Sequence, residues 1–563
     1  MVDQVQRRPI LFFPRKTLYG VLALTLTLFA YYGLSYYYAQ HLFQQGVALQ
    51  KEMKTEEALE HYRRSLVWFS GPQTHYEIGW SYWVLQDWAK VITHWERAIA
   101  LGVDNADLKT NLQMAKNTKA GLYKDLVRVD IGTHVKSDGE EKQKALSLKL
   151  VARFQKYNPM PASQDDHYEE AVYSPKSVRF HPQNNKVYVN SLEGYETLVF
   201  DRATMSKIKT ISHHFDVRHK NLFHKASHPW LSFPSDFKDD PNQFDGKPVE
   251  SVLSADGRYL WVPYYRRSFD AYGQYPSAVS LIDTQTDEIV RIFPTGTIPK
   301  IVAASPDGKW LAITNWGDNT VTLIQTIGKP EDYKIHSNIV VEKRFDLSDV
   351  KGRNRDSYCG FCLRGTVFTK DSKYLLVARM KGGGVAVLDV KEGTHIGTVR
   401  GKLANPRHLV LSKDGKFLYV STSASGYVSK YDVKDMLKAA KSKEKRVEPL
   451  YRAKTGSRTR TIDITPDGKY IFAAVNQDSK IVALSADNLD YLFDIPADSY
   501  PVGLDISPDG KQLWVTAQGR RGRGGNSVMA YSLEEQQMTP GPVMKDFGSV
   551  APNQRVAQID SKI

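Results

Sequence analysis

Three patterns of apolar and polar residues follow one another along the chain. Residues 17–40 contain no Asp, Glu, Lys or Arg, and 18–38 is a 21-residue, mostly apolar run, close to the ~20 residues a helix needs to cross a bilayer. Over 42–120 apolar residues recur three and four apart, as in Leu59, Tyr62, Leu66 and then Val91, Trp95, Ala98. That is the spacing of amphipathic helices. From Val172 onward short runs of Val, Ile, Leu and Tyr are broken by Gly, Asp and Asn, which predicts strands joined by tight turns.

The first run reads as a membrane anchor. Arg7, Arg8, Arg15 and Lys16 precede it, and no Lys or Arg follows until Lys51. This asymmetry places residues 1–16 in the cytoplasm and the bulk outside it, in the periplasm if the cell is Gram-negative. Tyr31, Tyr32, Tyr36, Tyr37 and Tyr38 crowd the outer end, where amphipathic rings favour the headgroup layer. The alternative is a cleaved signal peptide, but Tyr37-Tyr38-Ala39 lacks the small-residue form of a cleavage site.

The helical region, 40–121, repeats itself at a spacing of 33. Gly46, Ala58, Tyr62 and Ser65 are matched by Gly79, Val91, Trp95 and Ala98. A glycine on one helix, a large residue on the next and a small residue three positions on let two helices pack closely. The pattern resembles tetratricopeptide repeats, whose period is usually 34. It departs from them where Pro72 comes two residues late, and residues 107–123 would form the capping helix. The resemblance implies a groove that docks a protein partner; a spacer hairpin is the plainer reading.

The β region is built from a recurring unit, clearest over 301–325: a strand, a Pro-Asp-Gly turn, an alternating strand, a Gly-Asp-Asn turn and a third strand. Asp-Gly is a strong hairpin signal because Gly takes positive φ without steric cost. The turn recurs at Asp256-Gly257, Asp307-Gly308, Asp371-Ser372, Asp414-Gly415, Asp467-Gly468 and Asp509-Gly510, with a degenerate copy at Gln183-Asn184. Seven such units predict a mainly β fold, a seven-bladed β-propeller over residues 122–563. The unit resembles the YVTN β-propeller repeat over about residues 172–535. Residues 126–131, ahead of the first unit, are expected to complete the last blade and close the ring.

Composition narrows the function. With 563 residues, 41% hydrophobic and 25% charged, the chain is globular, not disordered or multi-spanning. The net charge of +14 is concentrated in residues 1–16 (+3), 434–460 (+7) and 520–523 (+3). The rest is nearly neutral, so a nucleic-acid-coating surface is not implied. The basic segment 434–460, read as a joint between two blades, is a solvated loop or meets an anionic surface.

Aligning the seven units on the turn Asp and stepping back seven residues gives Lys176, Val249, Lys300, Arg364, Arg407, Arg460 and Val502. This column should lie where each blade-to-blade loop enters the innermost strand. Five cations at the mouth of one channel would attract an acidic small molecule or glycan; ion pairing with neighbouring blades is the competing account. Asn405-Pro406-Arg407-His408-Leu409 is similar to a motif of lactonase-type propellers. By that resemblance Arg407 and His408 would line a pocket for an acidic sugar lactone, although Asn405 stands where that motif carries Gly.

Two further groups stand out. Cys359 and Cys362 form a CxxC with no following His, which excludes covalent haem attachment and leaves a disulfide, a redox pair or a lone metal pair. His213, His214, His219, His224 and His228 lie within 16 residues, in an insertion between the first two blades. Their separations suit zinc ligands, but the segment is loop-like and could equally be a polar lid. No cofactor is called for. The expected function is a membrane-anchored extracytoplasmic binding or scaffold protein, non-catalytic, with a lactonase-type hydrolase as the alternative.

Overall fold

A computed structural model describes residues 15–538 except 53, 86, 105, 120–125, 131–142, 160, 162–163, 227, 351 and 520–525. The chain divides into two compact units that change over between Lys116 and Asn117.

The first unit is helical: α1 (Arg15–Lys51), α2 (Thr55–Trp68), α3 (Pro72–Val84) and α4 (Trp88–Ala100), with α5 (Ala106–Lys119) running across the changeover. Among the described residues no helix is long and apolar enough to cross a membrane. The side chains of residues 15–26, the inner half of the proposed anchor, lie outside the described ones. The 33-residue repeat acts through sterics. A Cβ on Gly46 would sit 2.6 Å from the Tyr62 ring, and one on Gly79 would sit 2.2 Å from the Trp95 ring. Tyr62 and Trp95 are fully buried, as are Ala58, Val91 and Ala98 beside them. Trp95 donates to the Tyr76 carbonyl at 3.2 Å and sits among Trp80 and Trp83. Gly79→Ala should therefore cost about 1–3 kcal/mol through overpacking. Helical far-UV signal would then be lost at lower temperature while the β signal keeps its midpoint.

The second unit is a seven-bladed β-propeller. Seven antiparallel sheets follow in order, with innermost strands Pro175–Phe180, Val252–Leu253 (extended by Phe244–Pro248), Pro299–Ala304, Leu363–Phe368, Pro406–Leu411, Thr459–Ile464 and Pro501–Ile506. Each packs on the next, and the seventh meets the first, which closes the ring. The predicted turns are held by one repeated network. At 305–310 the Ser305 hydroxyl donates to Asp307 at 2.6 Å, and Asp307 accepts from the Lys309 amide. The Trp310 amide then donates to Ser305 Oγ. The same set recurs around Asp256, Asp371, Asp414, Asp467 and Asp509. In the first blade His181 replaces it, its Nδ1 accepting from the amides of Gln183 and Asn184.

Two expectations need correcting. The last blade is completed by Gln143–Gln155, antiparallel to Ser527–Met538; Leu126–Asp130 only adds outside it. The longer strand wins because it buries a row on both sides of a bulge between Leu150 and Ala152. Before the bulge Leu146 and Leu148 face the core shared with Phe472 and Leu504. After it Ala152 and Phe154 face the core of Phe180, Phe200 and Trp514, because one extra residue flips the pleat. Most of the basic segment does not join two blades. Residues 434–450 lie within the fifth blade, between Tyr427–Asp432 and Tyr451–Lys454, and only its last residues cross into the sixth at Thr459–Ile464. The segment starts as the helix Val433–Lys441, which buries Val433, Met436, Ala439 and Ala440 and leaves Lys434 and Lys438 in solvent.

Candidate functional site: the channel mouth

The aligned column sits where each loop enters its innermost strand. In six blades the residue two positions earlier has a left-handed backbone without being glycine: Ser174, Ile298, Cys362, Asn405, Arg458 and Tyr500, with φ between 51° and 66°. Each such turn costs roughly 1–2 kcal/mol, and strain of this kind collects where a fold must aim a side chain. Except at Arg364 and Arg460, whose preceding residues are Leu363 and Thr459, a proline follows. Hydroxyls of the adjoining blade pin the column from behind. Ser177 donates to the Val249 carbonyl, Ser421 to that of Arg460, and Thr461 to that of Val502. At Gly365 a Cβ would collide with the Arg407 carbonyl at 2.7 Å. A missing side chain thus lets the fourth and fifth blades bring their arginines together.

Lys176, Arg364, Arg407 and Arg460 converge closely enough that their charges oppose one another. Burial and these neighbours push the Lys176 ammonium and the Arg407 guanidinium well below their usual values. Burial lowers Arg460 to about 10 and Lys300 to about 8.

Two of the five cations have carboxylate partners. Lys300 donates to Asp356 at 2.6 Å and lies over the rings of Tyr265 and Trp316. Arg364 donates to Glu250 at 3.4 Å. Among the described residues the other three have none. Lys176 donates to Gln518 Oε1 at 3.3 Å, Arg460 to the Tyr500 hydroxyl at 3.1 Å, and Arg407 to the Met380 thioether at 3.7 Å. Among the described residues the mouth thus holds more positive charge than its carboxylates balance. Asp356 and Glu250 escaped sequence reasoning: Asp356 comes from the long loop before the fourth blade, and Glu250 is one position beside the column. Scanning the neighbouring column for acids would have found Glu250.

His408, next to Arg407, lies beside this cluster. Burial first, then the charges of Arg179, Arg364 and Arg407, push its imidazole down to about 3. So weakly basic a ring is a poor general base near neutral pH, which removes the side chain a lactonase-type step would use. Three residues further along the innermost strands the charge changes sign. Arg179 donates to Asp505 at 2.6 Å, while Asp463 accepts from the amides of Ile464 and Ile506. Burial and the neighbouring Asp505 raise Asp463 to about 7.

The remaining candidates are not brought together. His213 is buried between Thr197 and Tyr264, at 2.8 and 2.9 Å. His214 pairs with Asp245, and His219 caps a short helix through the Asp216 backbone. His224 lies against Phe293 and His228 against Trp230. Each ring has its own local contacts, and the structure does not bring the five together. Among the described residues no three His, Cys, Asp or Glu side chains are grouped to hold a metal. Cys359 and Cys362 form a disulfide just before Arg364. Next to it the Phe361 ring stacks on the Arg379 guanidinium at 3.8 Å.

No protein-family model matches the chain. A 103-residue stretch is 28% identical to hydrazine synthase subunit beta of Kuenenia stuttgartiensis, covering 16% of this chain and 27% of that protein. The chain thus spans about a quarter of the length of that relative. Among solved structures, a chain of Kuenenia stuttgartiensis hydrazine synthase is similar with a TM-score of 0.44 and 15% identity, over 67% of this chain and 99% of that one. The β-propeller domain of Cps50 (Swd1) from Myceliophteria thermophila gives 0.45 and 13%, over 64% and 96%. A chain of the mitotic checkpoint complex gives 0.44 and 12%, over 65% and 88%.

Proposed function

We propose that this protein is a membrane-held binding protein whose propeller mouth takes an anionic ligand, an acidic small molecule or the acidic group of a glycan. One observation carries the reading. Lys176, Arg407 and Arg460, from three different blades, are half-buried together, and among the described residues their hydrogen-bond partners are an amide, a thioether and a phenol. Buried like charges without counter-charge are costly, and an anion relieves that cost. The low proton affinity of His408 favours binding over hydrolysis.

The anchor rests on residues 17–40, which lack charge and follow a basic flank. It is further supported by α1, whose Phe29, Tyr31, Tyr32, Leu34 and Tyr37 are all exposed. Such a continuous apolar surface suits lipid better than water. The topology puts the propeller outside the cytoplasm, with the helical unit free to dock a protein partner.

The test of binding uses the full chain in detergent and a panel of acidic metabolites and uronic-acid glycans. An anion should raise the melting temperature of the wild type but not of an Arg364→Ala/Arg407→Ala/Arg460→Ala chain. Equal response of both, or no response from the wild type to any anion, would reject the site. A reporter fused after residue 563 should be active only outside the cytoplasm; cytoplasmic activity would reverse the topology.

A further inference from the structure

The anion site contains one group that plain anion binding does not need. Lys176 is an amine among guanidiniums, and an arginine there would supply a permanent charge and a planar fork for a carboxylate. The structure instead holds a primary amine in a fixed place. Its nitrogen donates to Gln518 Oε1 at 3.3 Å, and Gln518 is itself anchored, its amide donating to the hydroxyl of Ser174 at 2.8 Å and to its carbonyl at 3.4 Å. Ser174 is one of the strained left-handed residues, two positions before Lys176. Loop strain, amide and amine thus form one short linkage.

Around the amine stand Arg364, Arg407 and Arg460, whose charges oppose its own, and Glu250, whose charge favours it. Burial and these three cations disfavour the ammonium form and so favour an amine with a free lone pair. A lysine made nucleophilic by desolvation and neighbouring cations is the arrangement used to attack carbonyl carbon.

We propose that Lys176 condenses reversibly with the carbonyl group of a small carboxylate-bearing ketone or aldehyde, an α-keto acid in its simplest form, whose carboxylate is held by Arg364, Arg407 and Arg460. This rests on the anion-site reading and goes beyond it by naming the ligand class and a covalent step. The nitrogen lone pair attacks the carbonyl carbon, and the C=O π electrons move to oxygen, giving a carbinolamine. That oxygen then leaves as water, taking both protons of the amine, and a C=N double bond replaces C=O. No oxidant or reductant is consumed, and water reverses the reaction. The guanidiniums contribute twice, by binding the carboxylate and by lowering the amine's affinity for a proton.

The experiment incubates the detergent-solubilised full chain with pyruvate or 2-oxoglutarate and sodium cyanoborohydride, then maps the modified peptides by mass. Reduction traps the imine as a secondary amine, adding the mass of the acid less one oxygen. Lys176 should be labelled at least about tenfold faster than the exposed lysines of the same chain, which serve as internal controls. Labelling of that peptide should disappear in Lys176→Met and fall in Arg407→Met. Succinate, which has carboxylates but no carbonyl, separates the two claims through its effect on melting temperature. If succinate and the keto acids stabilise the protein but Lys176 is not labelled, the amine proposal is wrong and the anion site stands. If no carboxylate stabilises the protein and Lys176 is labelled no faster than surface lysines, both fall.

Discussion

An Arg407→Met chain should melt higher than the wild type in a buffer low in small anions, and it should lose the wild type's response to them. The physical reason is the environment of Arg407. It is half-buried, its hydrogen-bond partner among the described residues is the Met380 thioether at 3.7 Å, and Arg460 and Arg364 both oppose its charge. Methionine keeps most of the aliphatic stem, can pack against Met380, and removes the repulsion. Replacing fully buried charge with apolar side chains is neutral to stabilising, by up to about 1–4 kcal/mol, and the gain should lie at the lower end because Arg407 is half-buried and Glu250 partly favours its charge. Added ligand should reverse the order, because anything that binds only the folded state stabilises it in proportion to the logarithm of its saturation. Thermal melts of both chains across an anion titration give the two curves, which should cross. A variant that is less stable than the wild type at low anion would show that Arg407 is compensated within the protein, and the anion site would lose its motive.

The contrast between what the residues foretold and what they concealed has a physical basis. The turns were legible because one network, Ser or Thr two positions before Asp, must form within six residues, and so leaves a local signature in six blades. The cation column was legible for the same reason: strand register carries the spacing from the turn back to the channel. The helical repeat was visible because Gly46 and Gly79 must lack side chains to admit Tyr62 and Trp95. What stayed hidden depends on long-range geometry. Gln143–Gln155 finds its partner, Ser527–Met538, almost four hundred residues away, and no local pattern records that pairing. Asp356 reaches Lys300 from a loop outside the repeat. For the histidines, close spacing in sequence is not convergence in space: His213 faces a buried Thr–Tyr pair while His214 points to Asp245.

Arg179→Met, the same change three residues deeper in the channel wall, should have the opposite sign. Arg179 donates to Asp505 at 2.6 Å, and Asp505 and Asp463 outweigh the burial that opposes its charge. Removing it leaves two carboxyls facing each other; breaking a fully buried pair from one side costs about 3–5 kcal/mol, and with 32% of the Arg179 side chain in solvent the loss should be smaller than that. The loss should depend on pH. Asp463 is raised from the ordinary range to about 7 in the folded protein, so the folded state binds its proton more tightly than the unfolded chain. A carboxyl raised in this way favours the fold while protonated and withdraws that support as pH climbs from about 4 toward 7. Without Arg179 the pair should hold its proton to still higher pH, because the only cation opposing that shift is gone. The deficit should therefore be largest at pH 8 and shrink on acidification toward pH 5, where both carboxyls can be neutral and the missing guanidinium matters least. Denaturation midpoints of the two chains at pH 5, 6.5 and 8 measure this directly. A deficit that is the same at all three would mean that Arg179 acts through packing of its stem, not through the charge of the aspartate pair. The channel wall then carries two layers of opposite design: a mouth whose uncompensated cations await an anion, and a deeper arginine whose charge the fold itself requires.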